Sequence, residues 1–318
     1  MARGTAGLGY FPSPKIEKAR GKERRKLLQQ EVRAGVEETR ITKMVGLAQQ
    51  GAWTRWNNYE RRKVTWADCW RTDFSRFKFL IQAVYDVLPS PSNLHRWGIS
   101  ETPTCPLCGG RGSLQHILSN CSKALIEGRY RWRHDQVLKA IAGVLSEALK
   151  NSKCQSERQG ISFVKEGSRQ KPKLRNRTSL LSAAPDWQIE VDLEKQMKFP
   201  SNIAETRLRP DIIFFSNMKK KIIMWELTVP WEDNMEVAHE RKIAKYTNLT
   251  DKCRDNGWQA SCVAIEVGCR GFAAKSLCKA LASVGIAGLA KRKALKTITE
   301  AAERASKWLW IRRAVAWG

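Results

Sequence analysis

One stretch of the chain places acidic side chains inside two runs that otherwise have the composition of buried β-strands. Residues 211–215 (DIIFF) and 222–229 (IIMWELTV) are rich in β-branched and aromatic side chains and have the length of strands. A polar, lysine-rich segment joins them. Asp211 begins the first run and Glu226 interrupts the second. The pattern predicts a hairpin of two buried strands, each of which carries one carboxylate.

These two carboxylates predict a bound divalent cation. An ionised carboxylate is expensive to bury without a partner, and two at one end of a hairpin would also repel each other. A cation held between Asp211 and Glu226 would relieve both penalties. Mg²⁺ suits the position because it binds one or two carboxylates and completes its shell with water and phosphate oxygens. Mn²⁺ accepts the same ligands.

The residues after this hairpin predict a helix that carries lysines on its packed face. Asp233 is a suitable N-cap, and residues 234–255 have helical periodicity. Five side chains share the apolar face of this helix: Met235, Ala238, Tyr246, Leu249 and Cys253. Lys242 lies at the centre of that face and Lys245 at its edge. Lysines in such positions indicate an anion on the inner side, either a phosphate or a water that is being activated.

A second group of residues has the spacing of a metal site. Cys105, Cys108, His116 and Cys121 form a Cys-x2-Cys-x7-His-x4-Cys array. Thiolate and imidazole are the ligands of tetrahedral Zn²⁺. A Cys-x-x-Cys pair alone also occurs in redox sites and turns, but two further ligands nearby favour zinc. Four protein ligands leave no open coordination position, so we expect a structural metal that organises the fold or nucleic-acid contacts.

Together these motifs resemble those of a known family. Arg209-Pro210-Asp211, then Glu226, then Lys242 and Lys245-Tyr246 are similar to the PD-(D/E)XK nuclease superfamily. The closest likeness is to the restriction-like endonuclease of site-specific non-LTR retrotransposons, where a Cys-Cys-His-Cys knuckle also precedes the nuclease. The likeness covers roughly residues 70–318. The chain departs from the restriction-enzyme pattern at Thr228, where that pattern has lysine.

The resemblance implies a Mg²⁺-dependent DNA endonuclease with an α/β fold, a mixed sheet flanked by helices. Asp211 and Glu226 would hold the metal, and a lysine on the following helix would replace the missing motif lysine. Periodicity favours Lys242 for this role over Lys245. In the family, the nick leaves a 3′-hydroxyl that primes reverse transcription of the element RNA. No segment resembles a polymerase, so a separate reverse transcriptase would have to act as partner.

The charge of the chain points to a polyanionic partner. It contains 57 lysines and arginines against 31 aspartates and glutamates, a formal net charge of +26. DNA is the partner that this excess favours, and RNA is the second. The residues predicted to contact nucleic acid are Arg207, Arg209, Lys219, Lys220, Lys221 and Tyr246. A catalytically inactive nucleic-acid-binding protein derived from a retrotransposon is the main alternative, and a zinc-stabilised protein-interaction module is the third hypothesis.

The location expected for such a protein is the nucleus. The sequence has no run of 18 or more apolar residues and no secretory region, so no membrane association is predicted. Arg24-Arg25-Lys26 is a candidate nuclear-targeting element within a basic segment.

Composition divides the chain into four predicted regions. These are 1–72, basic, helix-rich and partly disordered; 73–124, a helix and the zinc knuckle; 125–185, a helix and a basic linker; and 186–318, the nuclease core with basic C-terminal helices. The 13 tryptophans favour core packing over stacking on bases. Residues 187–193 predict an edge strand, from which Asp192 could approach the site, although a surface role is favoured. Glu205 is either a third metal ligand or an exposed acid, and the exposed interpretation is favoured.

Overall fold

The computed structural model describes residues 14–53, 58–60, 65–156, 180, 184, 186–193, 196–315 and 317. Residues 1–13, which belong to the stretch 1–14 expected to be disordered, and most of the predicted basic linker lie outside these ranges. The chain divides into two compact units, residues 1–57 and residues 58–318.

The first unit is helical in the part that the structure describes. Its helices are α1 (Pro14–Lys18), α2 (Gly21–Val45) and α3 (Ala48–Trp53). This confirms the helix expected for the charged stretch. No residue of α2 is buried, so a solvated helix describes it well. Ile16 of α1 is the buried apolar side chain of this unit.

The second unit contains a four-stranded mixed sheet. Its strands are β1 (Gln188–Val191), β2 (Ile212–Ser216), β3 (Lys221–Thr228) and β4 (Gln259–Glu266), in the spatial order β1-β2-β3-β4. β1, β2 and β3 are antiparallel neighbours, whereas β3 and β4 are parallel. A parallel pair needs a crossover connection. Helix α9 (Met235–Asp255) provides it and confirms the predicted lysine helix.

The remaining helices of this unit surround the sheet. They are α4 (Trp66–Arg71), α5 (Phe74–Val84), α6 (Pro91–Arg96), α7 (Ser122–Ile126), α8 (Arg129–Ser156), α10 (Lys275–Ser283) and α11 (Gly288–Ile311), with a π-helix at His116–Asn120. None of the helices in the described ranges combines the length and apolar composition needed to cross a membrane. The protein is therefore a mixed α/β protein whose sheet is flanked by helices, as expected.

The alternation of side chains along β2 and β3 creates two cores. Phe214 and Trp225 point to the face that packs with α8 and α11. Ile213 and Met224 point to the opposite face, where α9 contributes Tyr246. Since side chains alternate along a strand, Glu226 lies on the same face as Met224 and is directed towards α9. The period of the strand thus decides which helix can reach the carboxylate.

Two sequence predictions about local structure are wrong. Asp233 does not cap α9, because a 3-10 turn (Glu232–Asn234) precedes the helix and the Asp233 carboxylate accepts a hydrogen bond from the Trp231 indole at 3.0 Å. The preference for buried tryptophans fails at four of the described positions, since Trp97 and Trp308 are 44% and 47% exposed and two others are exposed further. Trp66 and Trp70 are 82% and 85% exposed.

Candidate functional site

The two predicted acids meet at one end of the sheet. Asp211 directly precedes β2, and the pairing of Ile212 with Trp225 places it beside Glu226 on β3. The Asp211 amide donates a hydrogen bond to Glu226 Oε2 at 3.2 Å, and the Leu227 amide donates to Asp211 Oδ2 at 2.7 Å. Both acids are buried, with exposed fractions of 8% and 2%. The hairpin register therefore holds the Glu226 carboxylate against the Asp211 amide and the Asp211 carboxylate against the Leu227 amide.

Both predicted lysines reach Glu226 from α9. The Lys242 ammonium forms an ion pair with Glu226 Oε1, and Lys245 Nζ lies 3.6 Å from the same oxygen. Their side chains are 21% and 44% exposed, so each also faces solvent. An ammonium supplies the positive charge that a buried carboxylate needs. The structure thus brings the four predicted catalytic residues together, with Lys242 the closer of the two lysines.

Tyr246 does not have the predicted nucleic-acid contact, because its side chain is fully buried. Its hydroxyl donates to the Arg209 carbonyl at 2.8 Å and accepts from Lys245 Nζ at 3.1 Å. Burial, with the nearby charge of Glu226, raises the pKa of this hydroxyl above its ordinary value. The tyrosine therefore stays protonated and ties α9 to the segment that leads into Asp211.

His134 of α8 is a site residue that the sequence analysis did not identify. Its Nε2 lies 3.2 Å from Asp211 Oδ2, and its Nδ1 lies 3.0 Å from Asp135 Oδ1. Burial lowers the pKa of this imidazole, but the hydrogen bonds and charges of Asp135 and Asp211 outweigh burial and raise the pKa to about 9. Helical periodicity gives no sign of this role, since it predicts only a core helix for the segment.

Asp192 is buried, which corrects the surface role expected for it. Its amide donates to the Asp211 carbonyl at 2.9 Å, and its carboxylate accepts from the Met197 amide at 2.9 Å. Arg131 and Arg209 approach this carboxylate at 3.7 and 4.0 Å. Asp192 thereby holds one predicted phosphate ligand, Arg209, beside the site. Arg207 and Glu205 are exposed, as expected.

The three lysines 219–221 are not near the carboxylates. Lys221 begins β3 and lies five residues before Glu226 on that strand, which corresponds to about 17 Å at the rise of a β-strand. Lys219 and Lys220 are exposed in the β2–β3 turn. The three lysines are therefore distant from the carboxylates, because a hairpin turn lies at the far end of its strands, and their contact with nucleic acid stays a prediction.

A further polar pair extends the row of acids to β4, and the sequence analysis missed it too. Glu266 is buried and pairs in register with Thr228. Its Oε1 lies 2.8 Å from His239 Nδ1, and its other oxygen accepts from the Ser276 hydroxyl. His239 precedes Lys242 by one turn of α9. The Thr228 hydroxyl, at the position where restriction enzymes have lysine, is buried and has no hydrogen-bond partner within the described residues.

The predicted metal ligands also come together. The ligand atoms of Cys105, Cys108, His116 and Cys121 all lie within 4.8 Å of one another. Cys105 Sγ is 4.0 Å from Cys121 Sγ, and Cys108 Sγ is 3.2 Å from His116 Nε2. Burial lowers the pKa of His116, which favours the neutral imidazole that binds metals. This Cys/His cluster can hold a metal such as zinc.

Helix α8 supports both sites. The Tyr130 hydroxyl accepts a hydrogen bond from the Cys121 amide at 2.9 Å and lies 3.1 Å from the His116 carbonyl. His134, one turn further along α8, contacts Asp211. The knuckle itself is bent by Gly109, whose φ of +73° suits glycine. The two sites therefore share one rigid helix, although their ligands are far apart in sequence.

Comparison with known proteins adds no family to this description. No protein-family model matches the chain, and a search of curated proteins finds no significant match. The interpretation of the site therefore depends on its chemistry. Buried carboxylates beside partly exposed ammonium groups can bind a divalent cation and an anion side by side.

Proposed function

We propose that this chain is a metal-dependent DNA endonuclease of the restriction-like kind found in non-LTR retrotransposons. The observation that carries the proposal is the meeting of Asp211 and Glu226 at one end of the sheet, with Lys242 and Lys245 directed at Glu226. Hydrolysis of a phosphodiester needs a place for a cation and a positive charge near the phosphate. This arrangement offers both.

The donor set suits Mg²⁺ or Mn²⁺. Carboxylate oxygens are the ligands that these hard cations prefer. The Leu227 amide and His134 both contact Oδ2 of Asp211, so Oδ1 is available as a ligand. The space beside Glu226 Oε1 already accommodates one cationic group, the Lys242 ammonium. When bound, the metal would polarise the phosphate and lower the pKa of a bound water.

The protein residues have separate tasks in this scheme. Lys242 would turn from Glu226 to the phosphate and stabilise the charge that develops on its oxygens, and Lys245 would assist from the edge of the site. His134 and the Leu227 amide hold the Asp211 carboxylate in one orientation. Attack of water on phosphorus forms a new P–O bond and releases a proton to solvent, while the bond from phosphorus to O3′ breaks and O3′ takes up a proton from solvent. The products are a 3′-hydroxyl and a 5′-phosphate.

The wider role that we propose follows the family. The nick in target DNA would prime reverse transcription of element RNA by a separate reverse transcriptase, in the nucleus. Zinc in the Cys/His cluster would be structural. The net charge of +26 supports a nucleic-acid partner. Arg209, which lies 4.0 Å from Asp192, is a basic residue beside the site, and Arg207 is exposed two residues before it.

A nucleic-acid-binding protein without nuclease activity is the second candidate. One observation favours it: His134 pairs with Asp211 and Lys242 with Glu226, so protein groups can neutralise both acids. A site whose charges are satisfied internally can persist as a scaffold. Such a protein would bind DNA without cutting it. Its affinity would fall by about 10³- to 10⁵-fold between about 50 and 200 mM salt if six to ten phosphates were contacted.

Nicking of supercoiled plasmid at low salt tests the proposal. The wild-type chain, Asp211→Asn and Glu205→Gln would be compared with Mg²⁺, with Mn²⁺ and with neither. We expect nicking by the wild type and by Glu205→Gln, whose acid is exposed, and none by Asp211→Asn. DNA binding by the wild type without nicking in either metal would favour the second candidate.

A further inference from the structure

Among the described residues of the second unit, the two most exposed aromatic side chains lie on one short helix. Trp66 and Trp70 of α4 are 82% and 85% exposed, and Phe74 at the start of α5 is 76% exposed. Tryptophan is normally well buried, so two that are nearly free on adjacent turns are unusual. Neither residue belongs to the carboxylate site or to the Cys/His cluster. The tryptophan pair therefore has no role in the proposed nuclease chemistry.

The helix that carries the pair is held in place. Thr65 and Asp68 form a capping box at its first turn, and Lys296 of α11 lies 3.4 Å from the Asp68 carboxylate. Residues four apart share a helix face, whereas Asp68, midway between the tryptophans, lies on the opposite face. The contact with α11 thus directs the two indoles away from the body of the protein. The orientation of the two indoles is therefore determined by the packing of α4.

The spacing of the pair suits nucleobases. Residues four apart on a helix have Cβ atoms about 5 to 6 Å apart, which is wider than the rise of about 3.4 Å between stacked bases and somewhat less than twice that rise. Two indoles at that spacing can flank one base or each stack on a successive base. Stacking on aromatic rings is the usual way in which proteins hold single strands without reading their sequence.

The charges around the pair favour a polyanion over an apolar protein surface. Asp68 is paired with Lys296, and Asp73 lies 3.7 Å from Lys307, so both nearby acids are neutralised. Arg71 directly follows Trp70 and is exposed, and Lys78 of α5 is exposed as well. An exposed aromatic pair with exposed basic side chains close by in the sequence matches the bases and phosphates of a strand.

We propose that Trp66 and Trp70 form a stacking site for single-stranded nucleic acid, with Arg71 and Lys78 as phosphate contacts. Duplex DNA cannot use this site, because its bases are already stacked on each other. The inference needs none of the carboxylates or α9 lysines. It therefore stands or falls independently of the proposed nuclease activity.

Fluorescence anisotropy with labelled oligonucleotides tests the site in buffer without Mg²⁺. The probes are dT20, rU20 and a 20-base-pair duplex, and the variants carry Ala, Leu or Phe at both tryptophans. Trp97→Ala, a change at another partly exposed tryptophan, is the matched control. Circular dichroism would confirm that every variant keeps the wild-type fold.

We expect the double alanine variant to bind dT20, rU20 or both about 10- to 100-fold more weakly than the wild type. The leucine variant should lose as much, because it keeps apolar area without an aromatic ring, and the phenylalanine variant should keep most of the affinity. The affinity of these variants for the duplex should equal that of the wild type, and Trp97→Ala should bind every probe with wild-type affinity. Wild-type single-strand affinity in the alanine or leucine variant would overturn the proposal, as would an equal loss for single strands and duplex. The dT20 and rU20 arms show whether DNA, RNA or both use the site.

Discussion

The Cys/His cluster and the carboxylate site differ in how the chain builds them. The four ligands of the cluster lie between residues 105 and 121, and turns and a π-helix bring them together. The carboxylate site draws on α8, the start of β2, β3 and α9, from residue 134 to residue 245. The first can form as soon as a metal binds its segment. The second exists only when the sheet has its register and two helices are packed against it.

The comparison predicts that the loss of a ligand of the Cys/His cluster has the largest effect, and that this effect is on folding stability. Cys121→Ser should remove bound zinc and destabilise the second unit by several kcal/mol, because structural zinc contributes about 10 kcal/mol or more to the folding of small zinc domains. Cys121 is buried, and its amide donates a hydrogen bond to the hydroxyl of Tyr130 on α8. Metal content and thermal unfolding would measure the effect.

Cys69→Ser is the matched control for that change, because Cys69 is a partly exposed thiol outside the cluster. It should keep both the metal and the melting temperature of the wild type. Omitting Mg²⁺ should also leave the melting temperature unchanged while abolishing nicking. A melting temperature that depends equally on zinc and Mg²⁺ would remove the distinction between the two sites.

The second prediction separates the two lysines of the carboxylate site. Lys242→Met should lower the rate of nicking by about 10²-fold or more, the range seen when a group that stabilises transition-state charge is lost. Lys245→Met should lower the rate of nicking by a smaller factor, since Lys245 Nζ lies 3.6 Å from Glu226 and also contacts Tyr246. Single-turnover nicking at saturating enzyme would measure both rates. The reverse order would make Lys245 the catalytic lysine.

The third prediction concerns His134, which joins the two regions through α8. His134→Ala should lower nicking by about 10- to 100-fold, as is typical when a residue that orients a metal ligand is removed. His134→Gln should recover part of the rate, because its amide can still donate to Asp211. The variant should also need more Mg²⁺ for half-maximal rate. An unchanged Mg²⁺ dependence in His134→Ala would argue against a positioning role.

The smallest effect on nicking is expected for the lysines of the β2–β3 turn. Replacing Lys219, Lys220 and Lys221 together by alanine should leave the nicking rate of bound DNA unchanged, because the turn is at the far end of the hairpin. Each lysine that touches a phosphate should reduce the salt dependence of binding by about one unit of slope. Salt titrations of binding, alongside single-turnover nicking, would measure these effects. Arg209→Ala is the comparison, since Arg209 lies beside Asp192 and should affect nicking itself.

The elements that strong periodicity marks could be predicted from the sequence. β2, β3 and α9 appear close to their expected bounds, because their apolar patterns have the periods of strand and helix over many residues. Helix beginnings were less predictable. Asp233 has a side chain suited to capping, yet its carboxylate accepts a hydrogen bond from the Trp231 indole, and a 3-10 turn precedes the helix.

The sequence by itself determined the residues whose chemistry conflicts with their surroundings: carboxylates within apolar strands, lysines on an apolar helix face, and thiols at metal-ligand spacing. Tertiary structure alone decided which other groups join them. His134, Asp192 and the pair His239 and Glu266 are ordinary residues in their own segments, and they become neighbours of the site only through packing. The physical reason is the sequence separation of the contacts. Periodicity and residue spacing reflect contacts within one helix, strand or turn, whereas contacts between elements depend on strand register and helix packing.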